Sequence, residues 1–424
     1  MQCQISLSSV LLLLIILGGA AFQFSPQQCQ RHKLKMASIS TKEEGALQKL
    51  CSISLDACKC MTPLITEIYK AIKTGGGNSG VKQKSDNSAF TIADGLVQRL
   101  LTDVLFDGVD FKAIVGEEDS TGDAKIEQSW TQVDGLSIPS HLLPLIESTK
   151  TSIASLSASL NDTKEYEKIT IFIDPIDGTK EFSTGKGEQC SICIGFSNEV
   201  GQAVGGVVYR PLTTPPTWAV GAKSEGFADC YFGDEDKRAD NGGGLLTSNG
   251  SISPFCDSLM NELGMNRIKS GGAGNKILLL LEKSIQLSDK DTPNTDTSSD
   301  SMLYIQDRGV SRWDTCAAEA VLEAFGGRIL KLTGVATKTQ ERYTYLKSET
   351  NRDFIPNNAR LTKYNSCLET IQPELLAMDA SEVKPYSNLC GLVALGKEWN
   401  SKKGLMYITE AVQRASERNA PMYD

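Results

Sequence analysis

The stretch Ile169–Phe182, which reads I-T-I-F-I-D-P-I-D-G-T-K-E-F, organises the predicted fold. β-Branched and aromatic residues run without a break up to Asp174, which predicts a buried strand that ends at a carboxylate. The proline that follows removes a ladder donor, and Gly178 permits a tight bend or a close approach of the backbone to a ligand. A second carboxylate, Asp177, and the hydroxyl of Thr179 come within one turn. These groups suit a site for hard cations and a phosphate at the carboxyl end of a strand.

The same letters also fit a simple surface turn. D-P-x-D-G is a common turn sequence, because proline presets the backbone and glycine accepts a positive φ. Taken alone, the stretch leaves both interpretations open, and the acidic residues elsewhere in the chain must decide between them.

Composition excludes several classes of function for this chain. The chain has 424 residues, of which 40% are hydrophobic and 22% charged, as in a soluble globular protein with room for two domains. Its net charge is −9 and no basic stripe is present, so nucleic acid is not an expected partner. The two histidines, His32 and His141, leave no basis for histidine triads or histidine-bound zinc. The remaining chemistry must use carboxylates, hydroxyls and hard metal ions.

The twelve cysteines show no framework spacing. Cys190 and Cys193 form a C-x-x-C pattern, but both lie in the alternating run Gln189–Phe196, which is typical of a strand. An odd separation places the two thiols on opposite faces of a strand, which disfavours a redox pair. A reducing compartment therefore fits the mature protein best.

Residues 1–42 are predicted to be a presequence. Leu7–Phe22 is an apolar run that ends in small residues, and Gln23–Lys42 is basic and free of acidic residues. This arrangement resembles the two-part presequences of algae with complex plastids, so we expect delivery to a plastid. The secretory lumen, reached by secretion or by a single-span anchor, is the alternative.

Two α/β domains are expected after the presequence, at residues 43–240 and 241–424, because a polar, glycine-rich stretch at residues 234–244 resembles a link. Hydrophobic periodicity and breakers predict helices and strands in both. The predicted helices are Glu43–Lys73, Phe90–Phe106, Pro254–Leu263, Trp313–Gly327, Gly404–Ser416 and one within Lys269–Glu282. The last begins with a glycine-rich turn, and the amides of such a turn and helix start favour an anion. The predicted strands, besides the one ending at Asp174, are Phe111–Glu118, Ser191–Ser197, Ala203–Arg210, a strand from Leu245, and Leu389–Leu395. Thr337–Tyr386 is read as a long polar insertion.

Acidic residues recur at the ends of these elements in four short motifs. The motifs are Asp94, G-E-E-D at Gly116–Asp119, D-P-I-D-G-T at Asp174–Thr179 and W-D-T-C-A at Trp313–Ala317. In this order they resemble the lithium-sensitive, magnesium-dependent phosphatase superfamily of inositol monophosphatase, and the resemblance runs from about Ile53 to Ile408.

Three details are similar to the 3′(2′),5′-bisphosphate nucleotidase branch of that superfamily. They are T-K-E-F after the D-P-I-D-G turn, S-G-G-A-G-N-K-I at residues 270–277, and W-D-T-C-A-A-E at residues 313–319. The chain departs from that branch at Thr247-Ser248-Asn249, where the nucleotidase pattern often shows a Ser-His pair. A neighbouring branch, inositol polyphosphate 1-phosphatase, also carries a long insertion before its last strand.

The resemblance implies a five-layer α/β/α/β/α sandwich and a site that holds two or three Mg²⁺ ions. One ion would be held by Glu117, Asp174 and the carbonyl of Ile176, and a second by Asp174, Asp177 and Asp314. Asp94 and Thr179 would orient the attacking water. The residues implied on the substrate side are Gly178, Thr179, Ser248, Lys276 and Asp314. Two cations that share one carboxylate can activate a water and neutralise the leaving oxygen of a phosphate ester.

The implied activity is removal of the 3′-phosphate of 3′-phosphoadenosine 5′-phosphate to give AMP and phosphate, with 3′-phosphoadenylyl sulfate as a further substrate. An inositol polyphosphate phosphatase is the alternative, and a non-catalytic nucleotide- or metal-binding sensor is a third hypothesis. The partner is a small nucleotide bisphosphate. We expect no nucleic acid partner, no membrane insertion of the mature protein, and a monomer.

Overall fold

The computed structural model describes residues 45–74, 81–83, 89–120, 130–133, 135–160, 164–233, 242–289, 300–307, 310–346, 387–388 and 391–421. The predicted presequence, most of the predicted link, and residues 347–386 of the predicted insertion lie outside these ranges. Within them, no helix combines the length and the apolar character that crossing a bilayer requires.

Ten helices are found in the described part of the chain, and they include the six that periodicity predicts. They are α1 Ala46–Thr74, α2 Ile92–Leu100, α3 Glu117–Ser120, α4 Leu143–Ser157, α5 Thr179–Ser183, α6 Pro254–Leu263, α7 Ala273–Asp289, α8 Arg312–Ala324, α9 Leu332–Ala336 and α10 Lys402–Arg418. A π-helical turn, Leu101–Leu105, continues α2.

Seventeen strands are found in the same ranges. They are β1 Val81–Gln83, β2 Ala89–Thr91, β3 Ala113–Gly116, β4 Gln132–Val133, β5 Leu136–Ser137, β6 Thr170–Asp177, β7 Ser191–Ser197, β8 Ala203–Arg210, β9 Thr217–Ala222, β10 Phe227–Tyr231, β11 Gly244–Thr247, β12 Arg267–Lys269, β13 Met302–Gln306, β14 Val310–Ser311, β15 Arg328–Lys331, β16 Ser387–Asn388 and β17 Leu392–Leu395.

Two sheets carry the fold. The first has six strands in the order β10-β9-β8-β7-β6-β3, and the second has five in the order β12-β11-β13-β17-β15. In the first sheet β3 and β6 are parallel, and the strands from β6 to β10 run antiparallel to their neighbours. In the second sheet β11 is parallel to both β12 and β13, and β17 runs antiparallel between β13 and β15. Parallel neighbours bring their carboxyl ends, and the residues that follow them, to one edge.

Side-chain alternation along the strands separates the layers. Ile171 and Ile173 of β6 belong to a core with α1, α2 and α4, whereas Phe172 between them faces a second core with α7 and α8. In the second sheet Tyr304 of β13 joins that same middle core, while Leu303 packs with α6 and α10 on the outer face. The layers are therefore α1/α2/α4, first sheet, α7/α8, second sheet, and α6/α10. The predicted five-layer sandwich is confirmed.

The middle helix α8 lies unusually close to the first sheet. A Cβ on Gly206 of β8 would lie 2.7 Å from the Cα of Ala317, and one on Gly195 of β7 would lie 2.5 Å from the nitrogen of the same residue. Backbone therefore packs against backbone, because glycine on the strands meets a small residue on the helix. This contact fixes the helix that carries Asp314 over the strand that carries Asp174.

One sequence expectation about the first sheet is wrong in detail, because the strand that was expected to end at Asp174 continues to Asp177. Strands β9 and β10 were not among the predicted strands. Pro215 and Pro216 immediately precede β9, where they do not remove a ladder donor. The expectation for the C-x-x-C pattern is confirmed, because Cys190 and Cys193 pack into the cores on opposite faces of the sheet.

Candidate active site

The end of β6 places two buried carboxylates side by side. β6 pairs with β7 up to Asp174 opposite Cys193, and the ladder then skips two residues and resumes with Asp177 opposite Ser191. The irregularity falls where Pro175 has no donor to give. Asp174 and Asp177 are only 1% and 5% exposed, so both carboxylates have been taken out of water.

Asp314 joins them from the start of α8. Ser311 is the N-cap of that helix, and its backbone N–H donates to Asp314 Oδ2 at 2.5 Å. This is one half of a capping box, which fixes the carboxylate at the helix end. One carboxylate oxygen from each of Asp174, Asp177 and Asp314 lies within 4.8 Å of the other two.

Glu117 is brought to the same place by strand pairing. Gly116, the last residue of β3, lies opposite Ile173 of the parallel strand β6, so Glu117 follows at the level of Asp174. The carboxyl groups of Glu117 and Asp174 share a hydrogen bond that favours the protonated form of Asp174. The three predicted motifs that contribute Glu117, Asp174 and Asp314 therefore converge.

The crowding of these acids raises their pKa values. For Asp174 the pKa lies well above its usual value, because of burial and then because of the charges of Glu117, Asp177 and Asp314. The pKa of Asp314 rises to about 8, chiefly through burial and next through repulsion by Asp177. Carboxyl groups held this close repel one another when ionised unless cations stand between them.

A divalent cation fits this set of donors. The Oδ1 atom of Asp174 is buried and has no hydrogen-bond partner among the residues that the structure describes. A buried, unsatisfied carboxylate oxygen is costly, and hard cations such as Mg²⁺ take oxygen ligands of this kind. The cluster can therefore bind a metal ion at the place that the motifs predict.

Asp177 has a hydrogen-bonding environment that the sequence does not reveal. The backbone N–H groups of Ala273 and Gly274, at the start of α7, donate to its two oxygens at 2.7 Å each, and the Ser191 hydroxyl donates to Oδ2 at 2.8 Å. The glycine-rich turn before α7 was expected to favour an anion, and the anion it holds here is this carboxylate. These donors and Lys276 lower the pKa of Asp177, but burial outweighs them and the pKa stays raised.

Asp94 and Thr179 form a hydrogen-bonded pair. Asp94 Oδ2 accepts bonds from the backbone N–H and the hydroxyl of Thr91, at 2.8 and 2.5 Å, which caps α2. The Thr179 hydroxyl lies 2.9 Å from Asp94 Oδ1 and 3.0 Å from the carbonyl oxygen of Ile176, and it can donate to either. The predicted water-orienting pair therefore lies together, next to the carbonyl predicted to bind metal. The T-x-x-D spacing of Thr91 and Asp94 is a capping-box signal that would have located the start of α2.

Gly178 makes the turn between β6 and α5. Its φ of +91° lies in the left-handed region, where glycine carries no Cβ penalty. A Cβ added there would lie 3.5 Å from the nitrogen of Gly272. The backbone at Gly178 is therefore close to the glycine turn that holds Asp177.

Lys276 supplies a buried amino group beside the acids. It is 4% exposed, its Nζ donates to the carbonyl of Gly272 at 3.1 Å, and the same atom lies 4.9 Å from the centre of the Tyr304 ring. Burial lowers its pKa, while the charges of Asp177, Glu181 and Asp314 oppose that shift. The predicted position of Lys276 at the site is consistent with this environment.

Ser248 lies at the end of β11, and its hydroxyl donates to the carbonyl of Ser251 in its own loop at 3.4 Å. A small cavity of about 60 Å³ opens beside it, between the ends of β11 and β13. The neighbouring Asn249 reaches towards the acids instead, with hydrogen bonds to Glu181 and Gln189. Of these three residues, Glu181 belongs to the T-K-E-F motif and Asn249 to the departure at Thr247-Ser248-Asn249, whereas no sequence motif indicated Gln189.

Comparisons with known proteins relate part of the chain to one family. The model of the inositol monophosphatase family matches residues 46–241. The 3′(2′),5′-bisphosphate nucleotidase 1 of Mus musculus is 28% identical over 286 residues, which cover 64% of this chain and 81% of that protein. The inositol monophosphatase 3 of Danio rerio is 28% identical over 172 residues, 40% of this chain and 45% of that protein.

Among solved structures, the extragenic suppressor protein suhB of Bartonella henselae matches with a TM-score of 0.44 and 14% identity, over 87% of this chain and 99% of that one. The family match spans the motifs of Asp94, Glu117 and Asp174–Thr179, and the mouse nucleotidase is matched over most of its length. Residues 46–241 of this chain are therefore similar to the inositol monophosphatase family.

Proposed function

We propose that this protein is a Mg²⁺-dependent 3′(2′),5′-bisphosphate nucleotidase, which hydrolyses the 3′-phosphate of 3′-phosphoadenosine 5′-phosphate to AMP and phosphate. The observation that carries the proposal is the convergence of Glu117, Asp174, Asp177 and Asp314 around a buried oxygen without a partner. The similarity to the mouse nucleotidase supports the choice of substrate.

In this proposal the cations are held by Glu117, Asp174, Asp177, Asp314 and the carbonyl oxygen of Ile176. When bound, they supply the positive charge that neutralises the phosphate and its leaving oxygen. Without them, burial and mutual repulsion raise the pKa values of Asp174 and Asp314, which disfavours their ionised forms.

The pair of Asp94 and Thr179 orients the attacking water. With its proton directed to Asp94 Oδ1, the Thr179 hydroxyl presents a lone pair that can accept a hydrogen bond from water. It can then take a proton from the water and pass its own to Asp94, whose carboxylate acts as the base. The water oxygen forms the new bond to phosphorus as the bond to the 3′-oxygen breaks. The 3′-oxygen takes a proton from solvent water, and Asp94 later returns its proton to solvent.

The substrate is held from both sides of the cluster. Lys276 faces the negative charge of the phosphate, and the turn at Gly178 and Thr179 lets backbone approach it. Asp314 lies at the start of α8, where the dipole of the helix favours negative charge. Ser248, on the exposed loop after β11, is the outermost of the proposed contacts.

The test is a phosphate-release assay of the purified chain with Mg²⁺ over a panel of nucleotides and inositol phosphates. We expect 3′-phosphoadenosine 5′-phosphate to be hydrolysed about tenfold or more faster than inositol 1,4-bisphosphate, since polar groups built for one substrate reject another strongly. The reverse preference would establish the inositol phosphatase and overturn the nucleotidase.

The matched variants are Asp174→Asn and Asp257→Asn, since Asp257 is an exposed carboxylate in the first turn of α6. Asp174→Asn should lower kcat about a thousandfold, as loss of several kcal/mol of charge stabilisation does. Asp257→Asn should match the wild type. Binding of the nucleotide without turnover in the wild type would support the sensor hypothesis instead.

A further inference from the structure

We propose that Asn249 is a positioning residue for the phosphatase site. Its side-chain amide joins Glu181 of α5 to Gln189 and, through Gln189, to Gly271 of the glycine turn. This inference rests on the proposed function. It adds to that function a residue from the loop after β11, which keeps the catalytic groups at the end of β6 in position.

The amide of Asn249 has one possible orientation. Gln189 Oε1 accepts from the backbone N–H of Gly271 at 2.7 Å, and a backbone N–H can only donate, so this oxygen is correctly placed. Asn249 Nδ2 then donates to that same oxygen at 2.7 Å and to Glu181 Oε1 at 2.8 Å. A carboxylate accepts and cannot donate, so both N–H bonds of Asn249 are committed.

The loop that carries Asn249 is itself held. The guanidinium of Arg267 donates through Nε to the Thr247 hydroxyl at 2.8 Å, and through Nη2 to the carbonyls of Ser248 and Gly250 at 2.9 and 2.5 Å. One side chain therefore fixes the residues on both sides of Asn249. Because Arg267 already orders this loop, little further conformational entropy is lost when the Asn249 amide bonds to its partners.

The partners of Asn249 lead directly to the catalytic groups. Glu181 lies two residues after Thr179 on the five-residue helix α5. Gly271 precedes the turn whose amides hold Asp177. Glu181 and Gly271 are also in close contact, since a Cβ on Gly271 would lie 2.3 Å from Glu181 Cδ. A movement of Glu181 would therefore move Thr179 and press on the glycine turn.

This arrangement predicts an effect on the chemical step. Removing the two donors leaves Glu181 and Gln189 without their bridge, so Thr179 is held less accurately against the attacking water. Small misplacements of this kind lower kcat about 10- to 100-fold. A residue that bound the substrate directly would instead raise KM.

The first readout is the kcat and KM of Asn249→Ala and Asn249→Asp on whichever phosphate ester the wild type hydrolyses. The second variant is isosteric and replaces donors with acceptors. The matched control is Asn400→Ala, because Asn400 is also half-buried and donates to two acceptors, the carbonyls of Gly326 and Gly327. We expect kcat to fall about 10- to 100-fold for both Asn249 variants, with KM within about twofold, and no change in kcat for the control.

The second readout needs neither metal nor turnover. Amide hydrogen exchange of the metal-free protein should become faster at residues 178–190 and 267–276 in both Asn249 variants, including the Gly271 amide, and should stay unchanged there in Asn400→Ala. Unchanged exchange in both segments would overturn the proposal, as would a raised KM with unchanged kcat. If the wild type hydrolyses no phosphate ester, the proposed function fails, and exchange alone decides the role of Asn249.

Discussion

The crowding of the acids predicts that Asp314→Asn stabilises the protein when metal is absent. The pKa of Asp314 rises from the usual 3.8 to about 8. Because Asp314 ionises more easily in the unfolded chain than in the folded one, ionisation favours unfolding. The contribution of Asp314 to stability is therefore complete below about pH 4 and is lost as the pH rises through about 8. A difference of roughly four pH units corresponds to at most about 5 kcal/mol.

The stability gained by the variant should be smaller than that limit. Asp174 and Asp177 can adjust their own protonation once the charge of Asp314 is removed. The asparagine oxygen can still accept from Ser311, while its amide faces the remaining carboxylates as a donor. We therefore expect a gain of about 2 kcal/mol at pH 8, or about 3 °C in Tm. At pH 4 the two proteins should differ little.

With Mg²⁺ present, the wild type should become more stable than the Asp314→Asn variant. A ligand at a hundred times its Kd stabilises the folded state by about 2.7 kcal/mol, and the variant lacks one predicted ligand group. The assay is thermal unfolding in EDTA at pH 4, 6 and 8, repeated at pH 8 with Mg²⁺, with Asp257→Asn as the exposed control. An Asp314→Asn protein less stable than the wild type in EDTA at pH 8 would refute this reasoning.

Three further predictions test separate parts of the site and fold. Thr179→Val keeps the shape of the side chain but loses the hydroxyl that bonds to Asp94, so kcat should fall about a hundredfold with unchanged Mg²⁺ affinity. Steady-state kinetics at several Mg²⁺ concentrations check this, and a normal kcat would contradict it. Gly272→Ala places a Cβ 2.8 Å from Asp177 Oδ2 on a backbone with a φ of +62°. The free energy of unfolding should therefore fall by more than about 1 kcal/mol, and activity should fall with it. Denaturant unfolding checks this, and unaltered stability would exclude the strain. Glu225→Gln replaces a carboxylate that accepts hydrogen bonds from the first backbone N–H groups of α1. The free energy of unfolding should fall by about 1 kcal/mol while kcat stays normal. A lowered kcat would mean that loss of this contact also disturbs the active site.

The fold was predictable where local patterns were strong. β7, β8 and α6 have the predicted bounds, because each has a clear period and clear breakers at both ends. β6 was predicted to stop too early, since the rule for proline in strands does not show that a ladder can skip two residues and resume. The layer order came from family resemblance, because the approach of α8 to the first sheet depends on glycines far apart in the sequence.

The acid cluster was predictable for a different reason. Glu117 and Asp314 lie in the first turns of helices and Asp174 near the end of β6, each in a short motif, and the motifs together resembled a known family. Gln189 had no such signal, and Asn249 was marked only as part of a departure from the nucleotidase pattern. Their contact was not predictable, since they lie 60 positions apart and belong to residue types that are common in loops. Contacts of this kind depend on how the two sheets meet, which no local pattern records.

Isothermal titration of Mg²⁺ into the metal-free chain tests most directly whether the acid cluster binds divalent ions. The wild type should bind about two ions per chain, as expected for a two-metal hydrolase, and Asp174→Asn should lose that binding. Equal binding by the wild type and the Asp174→Asn variant, or no binding by the wild type, would contradict the account.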